Sequence, residues 1–366
     1  MMNAIEIRHQ MHMNPETALE EFETTELLEH EIGKFSNIKI HRPFNTGLIA
    51  EYKVNDGNYL LFRADIDALD IEEQTGWEYA SKNKKMHACG HDVHTAILFG
   101  LIEKVCRLKP DKNLLFFFQP AEEGAGGAQL TIDTGFFESY AIQHAFALHV
   151  SDAFDYGTIA FNDEVLFASA MELIVDFHGK PTHVATPEKG KNALNALRLF
   201  LDAAERIPVS KNTPLLLAIG RAWAGNVRNI VPEKARMEGS IRSLDMDQSK
   251  VFFEQLLQVA QGVKLATGVE VEVKKRAFYP EVRNDSKLFD QLYLELGKHY
   301  KTLKTEYTMT GEDFGFFTRK YPSAMFWFGT RKDEVHGLHS PHFLPSDDIL
   351  PLGSDILYSI LELFIA

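Results

Sequence analysis

The sequence predicts an α/β chain in which a mainly parallel sheet carries one domain and a smaller antiparallel α+β domain interrupts it. Three observations lead there. Short, wholly apolar runs alternate with segments of helical period in the N-terminal third. Near residue 170 the pattern switches to strands that alternate apolar and polar positions. Near residue 279 the first pattern returns.

Taken in order, a helical stretch is expected after Pro15, marked by Ala18, Phe22, Leu27 and Leu28. Tyr59 to Phe62 reads as a short buried strand. A helix from about Asp92 to Arg107 repeats Val93, Ala96, Ile97, Leu101 and Val105 at helical spacing. Leu114–Phe118 and Ala145–Leu148 are further strands, so helices should cover both faces of a mainly parallel sheet. Met171–Phe177 alternates as a half-buried strand does. A helix near 193–207, strands near 215–219 and 235–241, and a helix near 250–265 stopped by Gly268 follow it. This βαββαβ order suits a ferredoxin-like unit with its helices on one face. A helix around 288–300, a strand at 324–328 and a last helix after Leu350 complete the chain. The expected division is 1–169 and 279–366 for one domain and 170–278 for the inserted one.

At 366 residues, 45% hydrophobic and 25% charged, the chain has the composition of a globular protein with large cores. A net charge of −14 argues against nucleic acid or an anionic membrane as partner, since both need a basic footprint. No apolar run reaches the ~20 residues of a membrane span. The first residues lack an apolar stretch behind basic ones, so no secretory signal is expected. Cys89 and Cys106 are the only cysteines, too few for a disulfide framework, and a reducing cytoplasm is expected.

Candidate chemistry sits where parallel strands end. Asp65 and Asp67 follow a buried strand and are two residues apart, so both carboxylates can face one cleft; taken alone, the pair also suits a capped strand end with solvated acids. His87-Ala88-Cys89-Gly90-His91-Asp92-Val93-His94 packs three histidines and a cysteine in front of a helix. The helix N-terminus favours a thiolate at Cys89, and Gly90 lets the backbone turn so that Cys89 and His91 converge. Without a second cysteine pair, zinc-finger ligation does not fit. Gln119-Pro120-Ala121-Glu122-Glu123-Gly124 follows an apolar strand, and its adjacent carboxylates can divide metal binding from proton transfer. His149 stands at another strand end, and His336, His339 and His342 cluster in a loop. His9, His12, His30, His41 and His299 have no such setting and are expected at the surface.

The stretches FRADIDAL, HACGHDVH, FFFQPAEEG, ALHV, NIVPEKARMEGSIR, TGEDFG and GLHSP, in this order, resemble the amidohydrolase branch of the dinuclear metallopeptidases, which includes aminoacylases, hippurate hydrolases and auxin-conjugate hydrolases. The resemblance runs from residue 62 to 341. It implies a metallopeptidase catalytic domain with an inserted dimerisation domain, and metal-dependent hydrolysis of a small N-acyl amino acid. Two divalent ions (Mn, Zn, Co or Ni) would be held by Cys89 as bridge, His91, Glu123, His149 and His339, with Glu122 as general base. Asp65 and Asp67 occupy the segment where sister families carry a His-x-Asp pair, and one of them would orient the site; the roles of Glu122 and Glu123 are interchangeable at this level. His183 would reach the site of a partner in a homodimer, and Asn229 and Arg242 would contact substrate. Pro181-Thr182 and Val184-Ala185 depart from the small residues usual around that histidine, and a proline there stiffens the turn. The alternatives are an exopeptidase and a non-catalytic metal- or peptide-binding relative.

Overall fold

The computed structural model describes residues 1–210 and 213–365. It separates into two compact units, Met1–Leu166 with Val282–Tyr307 and Asp313–Ala366, and Phe167–Glu281 with Thr308–Glu312. Helices α1 (Ala4–Met13) and α2 (Phe22–Ile32) precede strands β1 (Lys39–His41), β2 (Leu48–Tyr52) and β3 (Tyr59–Asp65). Then come α3 (His91–Leu108), β4 (Asn113–Gln119), α4 (Gly127–Asp133), β5 (Ile142–Asp155), β6 (Ile159–Phe161) and the short β7 (Val165–Phe167). The second unit holds β8 (Ser169–His178), α5 (Ala193–Ala204), β9 (Leu215–Ala224), β10 (Lys234–Ser243), α6 (Met246–Thr267) and β11 (Glu270–Tyr279). The chain ends with β12 (Val282–Arg283), α7 (Ser286–Leu296), β13 (Thr302–Lys304), α8 (Gly315–Thr318), β14 (Ser323–Arg331) and α9 (Ile349–Glu362). None of the described helices is long and apolar enough to cross a membrane.

Among the described residues the first unit's sheet has eight strands in the order β1-β2-β4-β3-β5-β14-β6-β13. The central pairs β4–β3, β3–β5 and β5–β14 are parallel. Every residue of β3 and β4 is buried, as expected of parallel strands covered on both faces. Leu60, Phe62, Phe116 and Phe118 join α1, α3, α7 and α9 in one core. On the other face Phe117 packs on Phe137 and Phe317, with ring centroids 5.6 and 5.8 Å away. Register fixes what the strand ends present. Asp65 pairs with Gln119, and Arg63 pairs with Ala147, so Asp65 and His149, each two residues further on, reach the same end of the sheet.

Two local features shape that end. Residues 15–21 do not continue a helix: Leu19 takes a left-handed φ of 67°, and Thr17 bridges to Ala68 instead. Before α3, Gly90 has φ 81°, and a Cβ there would stand 2.4 Å from Val150 Cγ2. Backbone conformation and lack of room both demand glycine. Gly90→Ala should therefore destabilise the fold by about 2 kcal/mol, readable in denaturant unfolding of the metal-free protein.

In the second unit β11-β8-β10-β9 form an antiparallel sheet, the 4-1-3-2 order of a βαββαβ unit. Its core joins Leu173, Val175 and Phe177 of β8 to Ala196 and Phe200 of α5 and Leu256 and Ala260 of α6. Asn192 caps α5 by accepting from the Leu194 and Asn195 N–H groups, and Gly268 (φ 67°) ends α6.

Candidate metal centre

The sheet end gathers six of the expected side chains. Ligand-type atoms of Cys89, His91 and His149 lie within 4.8 Å of one another, as do those of Cys89, Glu123 and His339, and those of His91, Glu122 and Glu123. Cys89, His91, His149 and Glu122 are buried, whereas His339 lies on an open loop with 53% of its side chain exposed. The turns that deliver these groups bend sharply. Ala121, just before Glu122, and His339 itself both hold a left-handed φ, of 57° and 62°. The Ala121 N–H donates to Glu21 Oε1 at 2.8 Å, and the His339 N–H donates to the Ala88 carbonyl at 2.9 Å.

Hydrogen bonds set which ring nitrogen faces the centre. His91 Nδ1 lies 2.9 Å from the Asp67 carbonyl and 3.2 Å from Asp67 Oδ1, so it carries the proton and donates. His149 Nδ1 likewise donates to the Val150 carbonyl at 2.9 Å. Both rings therefore turn Nε2 inward, and His149 Nε2 stands 3.5 Å from Cys89 Sγ. His91 Nε2 is buried without a hydrogen-bond partner, and Glu123 Oε1, also buried, is approached by His339 Nε2 at 3.3 Å. Histidines whose outer N–H is held by a carbonyl or carboxylate are the usual form of metal ligand, and the unpartnered His91 Nε2 suits that role.

Electrostatics agree. Burial opposes a charge on His91, yet Asp65, Asp67 and Glu123 raise its pKa to about 10. The surrounding carboxylates thus favour a positive charge at this position. Burial, then the charges of Glu123, Glu122 and Asp65, push the Cys89 thiol well above its ordinary range. For His149, burial and His94 hold the ring neutral, with its pKa well below normal. Glu123 stays ionised in spite of burial, its pKa lowered by His339 and His91. Thiolate, imidazole and carboxylate together suit a transition-type divalent ion.

Asp67 and Asp65 divide the work of support. Asp67 holds His91 through Nδ1 and accepts the Glu123 N–H at 2.9 Å through Oδ2. Asp65 takes His94 Nδ1–H at 2.6 Å and Arg63 at 2.8 Å, and lies 3.6 Å from His91 Nε2. Sequence reasoning saw His94 only as one histidine of its motif and gave no role to Arg63, Gln119 and Asp313; all four stand behind Asp65. Arg63 bonds Gln119 and Asp313 at 2.8 and 2.9 Å. The signal was available: polar side chains inside all-buried strands require partners.

Three other candidates lie in the second unit. His183 is exposed, forms a β-bridge with Ile230 next to Asn229, and accepts the Ala185 N–H through Nδ1 at 3.1 Å. Arg242 stands at the other end of β10, opposite Ala170, and donates to Glu172 at 2.9 Å. It does not join His183 and Asn229, because the length of β10 intervenes. Two more histidines, His336 and His342, face each other at 5.8 Å on an exposed loop.

The expectation that His12 lies at the surface is overturned. Only 1% of His12 is exposed, and its ring bridges Asp92 (2.9 Å) and Glu73 (3.1 Å). Arg8, also buried, bonds Asp92 at 3.1 Å. His9 is half-buried, stacked on Tyr79 at 3.7 Å, and His41 bonds Glu51 at 2.8 Å; His30 and His299 are exposed as expected. Burial disfavours a charge on His12, but Asp92 and Glu73 more than offset it and raise its pKa to about 9. The stability this gives is fully present below the unfolded value near 6.5 and is lost as pH rises through about 9. His12→Gln should melt well below the wild type at about pH 6 and approach it near pH 10.

Fold and site together define a metallohydrolase, and the chain belongs to Peptidase family M20/M25/M40, whose sequence model matches residues 61–363. It is a hydrolase acting on amide bonds. Among relatives, the N-acetyldiaminopimelate deacetylase of Lactococcus lactis subsp. cremoris (strain SK11) is 35% identical, over 99% of this chain and 98% of its own. The protein of that name from Bacillus subtilis (strain 168) is 34% identical over 96% of each. Of solved structures, an aminohydrolase from methicillin-resistant Staphylococcus aureus superposes with TM-score 0.91 at 25% identity, over 100% of this chain and 96% of that one. The Bacillus subtilis YXEP protein, a dinuclear metal-binding peptidase of the M20 family, superposes with TM-score 0.83 at 29% identity, over 99% and 97%.

Proposed function

We propose that the chain is a cytoplasmic N-acetyl-L,L-diaminopimelate deacetylase, releasing acetate and L,L-diaminopimelate for lysine synthesis. The observation that carries the reading is a cluster of ligand-type side chains with a buried carboxylate, Glu122, among them, in a chain aligned over nearly its full length with relatives of that name. DIEEQTG after the first motif and MTGEDFG with MFWFG later support it within the branch. Two free cysteines accord with a reducing compartment.

Cys89, His91, Glu123, His149 and His339 would hold two divalent ions, manganese, zinc, cobalt or nickel. When bound, such a pair polarises the amide carbonyl and acidifies a shared water. Glu122 removes a proton from the attacking water and passes it to the leaving nitrogen. Asp67 fixes the His91 ring and the Glu123 backbone. The chain acts as a homodimer through its second unit. His183 serves as donor to the developing oxyanion in the partner's site. Because its Nδ1 accepts the Ala185 N–H, its Nε2 carries the proton such a donor needs. Asn229 and Arg242 contact the substrate. His183→Ala should lower kcat by about 10²-fold while metal content, read by elemental analysis, stays at the wild-type level.

Acetate release from N-acetyl-L,L-diaminopimelate, N-acetylmethionine and hippurate tests the substrate. A kcat/KM at least about tenfold higher for the first, about 1.4 kcal/mol of transition-state preference, supports the assignment. Equal rates on all three point to a general aminoacylase.

A further inference from the structure

His94 lies between the two candidate ligand rings, its centroid 4.6 Å from that of His149 and 5.5 Å from that of His91. It is buried, and its type and position invite reading it as a ligand, in a group with Asp65 and His91. Its hydrogen bonds argue otherwise. Nδ1 donates to Asp65 Oδ1 at 2.6 Å, and Nε2 accepts the Val150 N–H at 2.9 Å. Neither nitrogen has a lone pair left for a cation.

The Val150 bond has a particular place. Pairing of β3 with β5 ends at Arg63 and Ala147, so beyond that point the Val150 N–H is met by the His94 ring. The same residue's carbonyl takes the Nδ1 proton of His149. A single residue is thus gripped at its N–H by His94 and grips His149 at its oxygen. Behind His94 the chain of bonds continues through Asp65 and Arg63 to Asp313. Asp313 in turn accepts from Gln119 Nε2 (2.7 and 2.9 Å) and the Ala128 N–H (2.9 Å).

We infer that His94 is a positioning residue for the metal centre, holding the Val150 peptide so that His149 presents Nε2 to the ion, with Asp65, Arg63 and Asp313 as its backing. This rests on the two-metal reading above but not on the choice of substrate. Two substitutions separate the halves of the imidazole. Asn places a polar atom near the Nδ1 position and can still donate to Asp65, but cannot reach Val150. Gln places its amide near the Nε2 position and can still accept the Val150 N–H.

The test is metal titration of purified protein with cobalt and zinc, read by bound stoichiometry and by the cobalt absorption spectrum, with no acyl substrate present. His94→Asn should weaken one of the two ions by about 10–100-fold and change the cobalt spectrum. His94→Gln should keep both within about threefold. Wild-type binding in His94→Asn, or equal losses in both variants, would overturn the inference. Should His94→Asn fail to fold by circular dichroism, His94→Leu, which offers no acceptor, takes its place against His94→Gln with the same expectations. A wild type that binds fewer than two ions would remove the metal reading and this inference with it. Poor activity on N-acetyl-L,L-diaminopimelate would touch only the substrate.

Discussion

Glu122→Gln is expected to lower kcat on the acetylated substrate by about 10²–10⁴-fold while leaving two ions bound. The amide is close to the carboxylate in size, so packing around the buried side chain is kept and only the ability to take a proton is lost. Glu123→Gln should behave in the opposite sense. Glu123 joins the Cys89–His339 group as well as the His91 group, and its buried Oε1 lies 3.3 Å from His339 Nε2. Its loss should show first in metal content. Kinetics and elemental analysis on the two variants together assign the roles. If Glu122→Gln loses the ions while Glu123→Gln keeps them and loses turnover, the two are exchanged.

Cys89→Ala should abolish binding of both ions and bring hydrolysis to background, because Cys89 belongs to both of the ligand groups built around His149 and His339. The same chemistry predicts proton release. Metal-free Cys89 is held as a thiol by burial and by Glu123, Glu122 and Asp65. His91 is protonated below about 10. A cation must displace both protons to be ligated, so binding should tighten as pH rises. Metal added to weakly buffered wild-type protein should acidify it, and Cys89→Ala should show no such release. Peroxide, which converts a thiol to forms that no longer ligate, should mimic the substitution; unchanged metal content after peroxide would remove Cys89 from the ligand set.

The strands that carry the centre were legible because burial on both faces writes itself as an uninterrupted apolar run, as in Leu114–Phe118. Motif residues at their ends were legible for the same reason, since an internal strand must deliver its end to a loop on the sheet's edge. Helix α1 was not. Its inward face is Ile7, Arg8, Met11 and His12, and two charged groups in four erase the apolar period. The helix expected after Pro15 was placed too early because Leu19 adopts a backbone conformation its side chain does not advertise. His94 was visible as a residue, but its role depends on Val150, 56 positions away. Pairings of that kind are set by the fold, and a local pattern does not contain them.

The Arg8 side chain bonds Asp92 in the first turn of α3, and it also bonds Asp347 and the Pro345 carbonyl, more than 330 positions along the chain. At about 5–20 residues per second of synthesis, the opening helix leaves the ribosome tens of seconds before its last anchors exist. For that interval Arg8 and His12 can meet only Asp92 and Glu73, while two of the Arg8 contacts, to Asp347 and the Pro345 carbonyl, are still missing. Completion of the Arg8 contacts is therefore a late event of maturation, and in a nascent chain halted before residue 345 a protease should cut helix α1 faster than in the finished chain.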